Sequence, residues 1–153
     1  MNDQDGHAIW CKLAEIEAAY WYDVDNNWGR SAHEFYTEDG IFDLGLGTNT
    51  RYVGPEKVRR FYSWREGRGE RTARHLMSNF QIKLNNAQSV SVLYVMSLFA
   101  EDGPPVRESK PAILVADVAN EMVLCPDEQW RAKSRILKPI FMGGVAPTML
   151  END

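Results

Sequence analysis

The sequence predicts an α+β domain in which a curved antiparallel sheet carries helices on its concave side. Two observations predict this fold: helical signals are confined to the first 68 residues, and four strand-like segments rich in β-branched and aromatic residues follow. Helices followed by hairpin-connected strands are typical of α+β domains. The chain of 153 residues has the size of a single domain, with a core at about 8–143 and a tail at 144–153.

The first half of the chain predicts three helices and one strand. The first helix covers residues 8–24, because apolar residues recur there at steps of three and four: Ile9, Leu13, Ile16, Tyr20 and Val24. A short helix at 31–36 ends at the polar TEDG, and IFDLGLG at 41–47 predicts a strand. The third helix covers 52–68, where Pro55 suits the first turn.

The second half predicts four long strands. The turn signals NNAQ, EDGPP and CPDEQ separate them. The strands are TARHLMSNFQIKL (72–84), SVSVLYVMSLFAE (89–101), KPAILVADVANEMVLC (110–125) and QWRAKSRILKPIFM (129–142).

Composition and charge exclude several classes of protein. With 17 basic and 22 acidic residues, a net charge of −5 argues against nucleic acid as a partner. The apolar runs are far shorter than the roughly 20 residues that span a bilayer, so we expect no membrane association. The acidic start MNDQDGH is not typical of a targeting segment, and we expect no disulfide framework from Cys11 and Cys125. We therefore expect a cytoplasmic protein.

The histidines do not have the spacing of metal ligands. His7, His33 and His75 lie far apart, and no paired Cys-x-x-Cys accompanies them. GLG at 45–47 lacks the rest of a dinucleotide fingerprint. We therefore expect neither a metal nor a nucleotide cofactor.

Four segments together resemble a known family: VDNNWGRSAHEFYTEDGIFD, YVGPEKVRRFYSW, RTARHLMSN and QWRAKSRILKPIF. In this order they resemble the SnoaL-like branch of the nuclear transport factor 2-like superfamily, over residues 8–143. The resemblance implies a cystatin-like α+β barrel: a cone-shaped bent sheet wrapped around helices, with an apolar cavity. Members include scytalone dehydratase, steroid isomerases, polyketide cyclases and non-catalytic binding proteins. It also implies a homodimer or homotrimer.

The resemblance implies a catalytic pair. In dehydratase-like members an Asp near the end of the first helix pairs with a His on the strand after the third helix, and Asp25 and His75 match these positions. Tyr20 matches a tyrosine five residues before the Asp. Two positions depart from the pattern, since Leu44 replaces a second tyrosine and no histidine is found near Ala100.

The chemistry of such a pair suits proton transfer without a cofactor. A neutral imidazole takes and returns protons near neutral pH, and a carboxylate on its other nitrogen fixes the tautomer. Tyr20 could donate to a developing oxyanion. Asn79, predicted on the same strand face as His75, could orient the substrate. We predict a pocket for a small hydrophobic cyclic molecule that includes Trp21, Phe42, Leu44, Asn79 and Tyr94.

Each assignment has a structural alternative. Asp25 could instead cap the next helix, and Tyr20 could be a core residue. Aromatic residues could line the cavity or fill the core (Trp21, Trp28, Phe42, Tyr62, Trp64 and Tyr94). The arginines of 59–74 could form a solvated face, a lid or a site for an anionic substrate, and Arg135 could pair with Asp117 across strands.

Two functions follow from these assignments. The first is a cofactor-independent lyase or isomerase of the dehydratase type, with His75 as the general base and acid. The second is a non-catalytic ligand-binding or assembly protein, such as the small subunit of a ring-hydroxylating dioxygenase. The enzyme requires a His75–Asp25 contact of about 2.6–3.2 Å at an apolar cavity.

Overall fold

The computed structural model describes the backbone of residues 3–143 and the side chains of residues 5–143. The α+β prediction is confirmed, and the predicted tail at 144–153 lies outside the described residues. The elements are α1 (Asp3–Asn26), a 3-10 helix (Ala32–Phe35), β1 (Tyr36–Asp43), β2 (Arg51–Val53), α2 (Pro55–Gly67), β3 (Arg71–Asn86), β4 (Ser89–Asp102), β5 (Leu114–Leu124) and β6 (Trp130–Met142).

The six strands form one curved sheet that does not close, in the order β2-β1-β6-β5-β4-β3. The four strands β3 to β6 are antiparallel neighbours, as the turn signals between them predict, although the connection from β4 to β5 spans residues 103–113. The prediction of a fully antiparallel sheet is wrong at one place, because β1 pairs with β6 in parallel. A hairpin does not set the direction of β1 against β6, since most of the chain separates the two strands.

The predicted first helix is confirmed and is longer than its apolar stripe. α1 begins at Asp3 and ends at Asn26, and Leu13 and Tyr20 on the stripe are fully buried. Glu17 lies between these two residues on the same helix face and is also fully buried. The inner face of α1 therefore carries one acidic side chain into the core.

The first strand starts earlier than predicted. β1 begins at Tyr36, so the polar TEDG segment lies inside the strand instead of closing the preceding helix. The strand ends at Asp43, whose carboxylate accepts a hydrogen bond from the Gly45 amide (2.9 Å) and turns the chain. The three-residue β2 was not predicted, because it is too short to show periodicity. α2 covers Pro55–Gly67 instead of the predicted 52–68, because Tyr52 and Val53 belong to β2, and Pro55 lies in its first turn as predicted.

A bulge in β3 changes which residues face the helices. The pairing with β4 shifts between Ser78 and Gln81, and Asn79 within the shift has a left-handed φ of 56°. Before the bulge, odd-numbered residues such as His75 and Met77 face inward; after it, Phe80 and the even-numbered residues pack on the core. The predicted alternation therefore holds only as far as Met77.

The helices cover the concave face of the sheet. α1 packs on β3, and α2 packs on β1, β2 and the 3-10 helix. Leu76, Leu93 and Phe99 are exposed on the opposite face. The oligomeric state stays a prediction. Neither helix within residues 3–143 combines the length and the apolar character needed to cross a membrane.

Candidate active site

A cavity of about 590 Å³ opens between the C-terminal half of α1, α2 and the concave face of the sheet. Small-molecule sites typically have volumes of roughly 300–1,000 Å³. Most of the wall is apolar: Trp21, Val24, Trp28, Phe42, Leu44, Leu46, Phe61, Tyr62, Trp64, Met96, Leu98, Ile113 and Leu137. Such a wall suits a ring-shaped apolar ligand.

His75 and Asp25 meet in the wall of this cavity. Nδ1 of His75 lies 2.6 Å from one carboxylate oxygen of Asp25, and the other oxygen accepts the His75 backbone N–H at 2.8 Å. The two side chains are only 11% and 5% exposed. Because an ionised carboxylate only accepts hydrogen bonds, Nδ1 carries the proton and Nε2 is the basic nitrogen. Within the described residues, Nε2 makes no hydrogen bond.

The position of Asp25 near the end of α1 makes these two bonds necessary. A carboxylate at a helix C-terminus faces the negative end of the helix dipole. Asp25 does not cap the next helix, because both of its carboxylate oxygens contact His75. The carboxylate that accepts from the Ser31 amide (3.1 Å) is that of Asp23, which also accepts from the Asn27 side chain (2.7 Å). Asp25 is thus left to hold His75.

Trp21 packs against one face of the His75 imidazole. The two rings are stacked, with centroids 4.4 Å apart and planes 12° apart. The indole Nε1 donates to the hydroxyl of Tyr94 (2.8 Å), which donates in turn to Glu17 (2.8 Å). The orientation of His75 is therefore tied to the buried Glu17.

Glu17 forms a fully buried ion pair with Arg135. The distance from Nη2 of Arg135 to the carboxylate is 2.6 Å, and both side chains are 0% exposed. Asn120 also donates to the carboxylate (2.8 Å), and the guanidinium lies over the ring of Tyr20, 3.6 Å from its centroid. Burial alone lowers the pKa of Arg135, but the Glu17 charge together with Tyr36, Tyr20 and Tyr94 outweighs it, and the net shift is upward.

A chain of hydrogen bonds leads from Arg135 back to the cavity. Arg135 donates to the hydroxyl of Tyr36 (2.8 Å), Tyr36 contacts Tyr20 (2.9 Å), and Tyr20 contacts Tyr62 (2.7 Å). The order that gives the buried Tyr36 proton an acceptor is Tyr36 donating to Tyr20 and Tyr20 donating to Tyr62, because the reverse order would leave that proton without one among the described residues. The hydroxyl proton of Tyr62 has no acceptor among the described residues.

The three tyrosines remain protonated donors at neutral pH. Burial raises the pKa of Tyr20, Tyr36 and Tyr62 well above the ordinary value of 10.0. Gly29 makes room for Tyr62: a Cβ at this position, where φ is +68°, would lie 2.6 Å from the tyrosine ring. Tyr62 lines the cavity, so the hydrogen-bond chain ends at a cavity residue.

The structure corrects three of the predicted site residues. Tyr20 is fully buried and does not line the cavity, because its hydroxyl is used between Tyr36 and Tyr62. Tyr94 is held between Trp21 and Glu17 in the core, and Asn79 is turned to solvent by the β3 bulge.

Other predicted residues do lie at the cavity. They are Trp21, Phe42 and Leu44, together with the candidate aromatics Trp28, Tyr62 and Trp64. The suggested Arg135–Asp117 pair does not form, since Arg135 points inward while Asp117 is exposed and opposite Lys138 in the register. Glu17 was missed, although an acid within an apolar helix stripe is a signal for a buried ion pair.

One edge of the cavity is basic. Arg65, Arg68 and Arg71 line it beside the exposed Asp102, and the Arg65 guanidinium lies 3.2 Å from the Asp102 carboxylate. Burial, with the charge of Arg65, lowers the pKa of Arg71 to about 10. Arg71 therefore stays charged at neutral pH in a half-buried position.

No group of three or more His, Cys, Asp or Glu side chains within the described part of the chain converges as metal ligands do. The polar groups that reach the cavity are instead an imidazole, carboxylates, a phenol and cations.

The sequence profile of the SnoaL-like domain matches residues 12–136. The chain belongs to the SnoaL-like domain family. The predicted resemblance is thereby confirmed, and the match spans the elements that carry His75, Asp25 and the cavity. No curated protein sequence matches the chain significantly.

Solved structures share the SnoaL-like fold at low sequence identity. A proposed scytalone dehydratase from Novosphingobium aromaticivorans is 18% identical with a TM-score of 0.79, covering 99% of this chain and 96% of the other. ActVI-ORFA from Streptomyces coelicolor is 11% identical, with a TM-score of 0.75 and coverage of 88% and 98%. A cystatin-like fold protein from Nostoc punctiforme is 17% identical, with a TM-score of 0.68 and coverage of 85% and 90%. At these identities the similarity concerns the fold.

Proposed function

We propose that this SnoaL-like protein is a cofactor-independent lyase or isomerase of the dehydratase type, acting on a small hydrophobic cyclic substrate. One observation carries the proposal: Asp25 holds Nδ1 of His75 at 2.6 Å while Nε2 has no partner among the described residues, in the wall of an apolar cavity. The carboxylate fixes the tautomer in which Nε2 is a base, and it stabilises the imidazolium that forms.

In a dehydration, Nε2 of His75 removes a proton from a carbon next to a carbonyl or an aromatic ring. The C–H electron pair becomes the new C=C bond as the C–O bond to a hydroxyl on the adjacent carbon breaks. The imidazolium returns its proton to the departing hydroxyl, which leaves as water. In an isomerisation, the same proton returns to a different carbon. Both reactions balance without an oxidant or a reductant.

Two neighbouring residues support these steps. The indole of Trp21, stacked on the imidazole with ring centroids 4.4 Å apart, holds the ring in place at the cavity. Tyr62 takes the role that the sequence pattern assigned to Tyr20, because the proton of its hydroxyl is unused and it lines the cavity. A neutral phenol can donate this proton as a hydrogen bond to an oxyanion that develops on the substrate.

The proposal is tested with the elimination of 5-nitrobenzisoxazole, a neutral aromatic substrate small enough for the cavity. A base removes its ring C–H proton, the N–O bond breaks, and a coloured cyanophenolate forms. We expect His75→Gln to lower the rate of the wild-type protein by about 100-fold, within the range for general base catalysis. Tyr62→Phe is expected to lower it by about tenfold, because one hydrogen bond to the developing phenolate is lost.

His7→Gln is the matched control, since His7 is exposed on α1 and does not line the cavity. It should keep the wild-type rate, and circular dichroism should show that all the variants are folded. Equal rates for the wild type and His75→Gln would contradict the proposal. That outcome would favour a non-catalytic ligand-binding or assembly protein of the same fold.

A further inference from the structure

The basic edge of the cavity has more positive charge than its carboxylates balance. Three carboxylates line the cavity, and each has a partner: Asp25 holds His75, Asp102 pairs with Arg65 (3.2 Å), and Glu101 pairs with Lys110 (2.9 Å). Glu101 also lies 3.4 Å from Arg107. The carboxylates around the cavity are therefore already occupied by other groups.

These pairs account for Arg65 and Lys110, and the guanidinium of Arg68 lies over the ring of Trp64, 5.4 Å from its centroid. Arg71 is the remaining cavity-lining cation. Its guanidinium makes no ion pair or side-chain hydrogen bond among the described residues, although Asp102 is opposite Arg71 in the strand register. Its side chain is half-buried, and burial lowers its pKa to about 10. A partly desolvated cation without a fixed partner gains from an anion that reaches it.

The position of Arg71 relates it to His75. Arg71, Ala73 and His75 alternate along the same face of β3, and all three line the cavity. At a rise of roughly 3.3 Å per residue, the Cα atoms of Arg71 and His75 are about 13 Å apart. A molecule with a ring system between them can reach both side chains, and the cavity of about 590 Å³ has room for it.

We propose that Arg71 binds a carboxylate of the substrate, so that the protein acts on a cyclic or aromatic carboxylic acid. This inference rests on the proposed function for the reacting end at His75 and adds the other end of the substrate. A guanidinium binds a carboxylate through two parallel hydrogen bonds. A single unpaired arginine matches one negative charge, whereas a phosphate dianion would require a second free cation.

The test compares two ligands of almost the same shape, naphthalene-2-carboxylate and naphthalene-2-carboxamide. Their binding is followed through the fluorescence of the cavity tryptophans. We expect the wild-type protein to bind the carboxylate at least about tenfold more tightly than the amide. In Arg71→Met, which keeps an apolar stem but removes the charge, the two ligands should bind equally.

Arg74→Met is the matched control, because Arg74 is on the same strand, is exposed and does not line the cavity. It removes the same charge from the protein and should keep the preference for the carboxylate. Three outcomes would overturn the inference: no binding of the carboxylate at millimolar concentration, no preference in the wild type, or a preference that survives Arg71→Met. A preference lost equally in Arg74→Met would also overturn it, since net charge would then be the cause.

The outcome of this binding experiment does not depend on whether the proposed function is correct. It measures equilibrium binding, so a protein without turnover still gives a result. The elimination assay uses a neutral substrate, so its outcome does not depend on the recognition of a carboxylate.

Discussion

Two buried acid–base pairs join α1 to the sheet, and they differ in what they leave unused. Glu17 and Arg135 are completely buried, and the Glu17 carboxylate accepts hydrogen bonds from three side chains. Asp25 and His75 are almost as buried, but Nε2 of His75 has no partner among the described residues. The first pair faces only the core, where Nε of Arg135 has no hydrogen-bond partner among the described residues, whereas the second retains one basic atom at the cavity.

The difference follows from position along the helix. Glu17 and Asp25 are eight residues apart, or about 12 Å along α1. Glu17 lies where the helix crosses the closed part of the core, and Asp25 lies where it reaches the cavity. Similar side chains thus stabilise the fold at one point and present a base at the other. The Tyr94–Trp21 contact joins the two pairs into one network.

The largest effect is expected from breaking the buried Glu17–Arg135 pair. Arg135→Met leaves the Glu17 carboxylate buried without its cation and removes the hydrogen bond to the Tyr36 hydroxyl. Removing one member of a buried ion pair typically costs about 3–5 kcal/mol, so we expect a loss of that size in the free energy of unfolding. Urea denaturation followed by circular dichroism measures it.

The double variant Glu17→Gln/Arg135→Met sharpens this test. It removes both charges, so it should be less destabilised than Arg135→Met alone. A cost below about 1 kcal/mol for Arg135→Met would mean that the pair does not hold α1 on the sheet.

An intermediate effect is expected at the Asp25–His75 pair. Asp25→Asn should change the tautomer of His75 and lower the elimination rate. Asn in place of Asp25 can donate to Nδ1, which shifts the proton of the neutral imidazole to Nε2 and blocks the proposed base. We expect the Nδ1–H tautomer to dominate in the wild type and to fall sharply in Asp25→Asn, with an elimination rate about tenfold or more lower. Nitrogen-15 NMR of the imidazole reports the tautomer directly.

Asp23→Asn is the control for this prediction. Asp23 lies two residues earlier on α1, and its carboxylate contacts Ser31 and Asn27, not the imidazole. The tautomer of His75 should be unchanged in this variant. An unchanged tautomer in Asp25→Asn as well would show that the carboxylate does not set the ring.

The sequence predicted the Asp25–His75 pair but not the Glu17–Arg135 pair, for physical reasons. Asp25 and His75 occupy positions of a recognisable pattern, so resemblance could join them. Glu17 carried a local signal, since it lies among apolar residues of α1, but its partner is 118 residues away. A register shift between Glu121 and Met122 on β5 changes which residues of β6 face inward and sets the direction of Arg135.

The same limitation explains the misplaced Asn79. Alternation along a strand predicts faces only while the register is regular, and the bulge in β3 interrupts it. Tyr20 illustrates a different limit. Its inward direction was predictable from the helical stripe, but whether a hydroxyl reaches the cavity depends on Tyr36 and Tyr62 on other elements.

The smallest effect is expected at Arg71, whose guanidinium makes neither an ion pair nor a side-chain hydrogen bond among the described residues. Its pKa is about 10 in the folded protein, below the ordinary value of an arginine, so folding disfavours its charged form. The unfolded chain holds this proton more tightly, and the resulting cost to stability is fully present below pH 10 and disappears as the pH rises past the ordinary pKa of arginine. Arg71→Met should therefore stabilise the protein at pH 7, by about 1 kcal/mol after allowance for the exposed part of the side chain.

Thermal and urea unfolding at pH 7 measure this gain, with Arg74→Met expected to lie within about 0.5 kcal/mol of the wild type. A loss of stability in Arg71→Met would mean that the guanidinium is satisfied in the free protein. Saturating naphthalene-2-carboxylate should narrow the difference in unfolding free energy between the wild type and Arg71→Met, because the ligand binds the folded wild type more tightly than the folded variant. A residue that lowers stability when the cavity is empty and recovers the loss only when an anion is bound fits a role in binding, whereas Glu17 and Arg135 do not line the cavity.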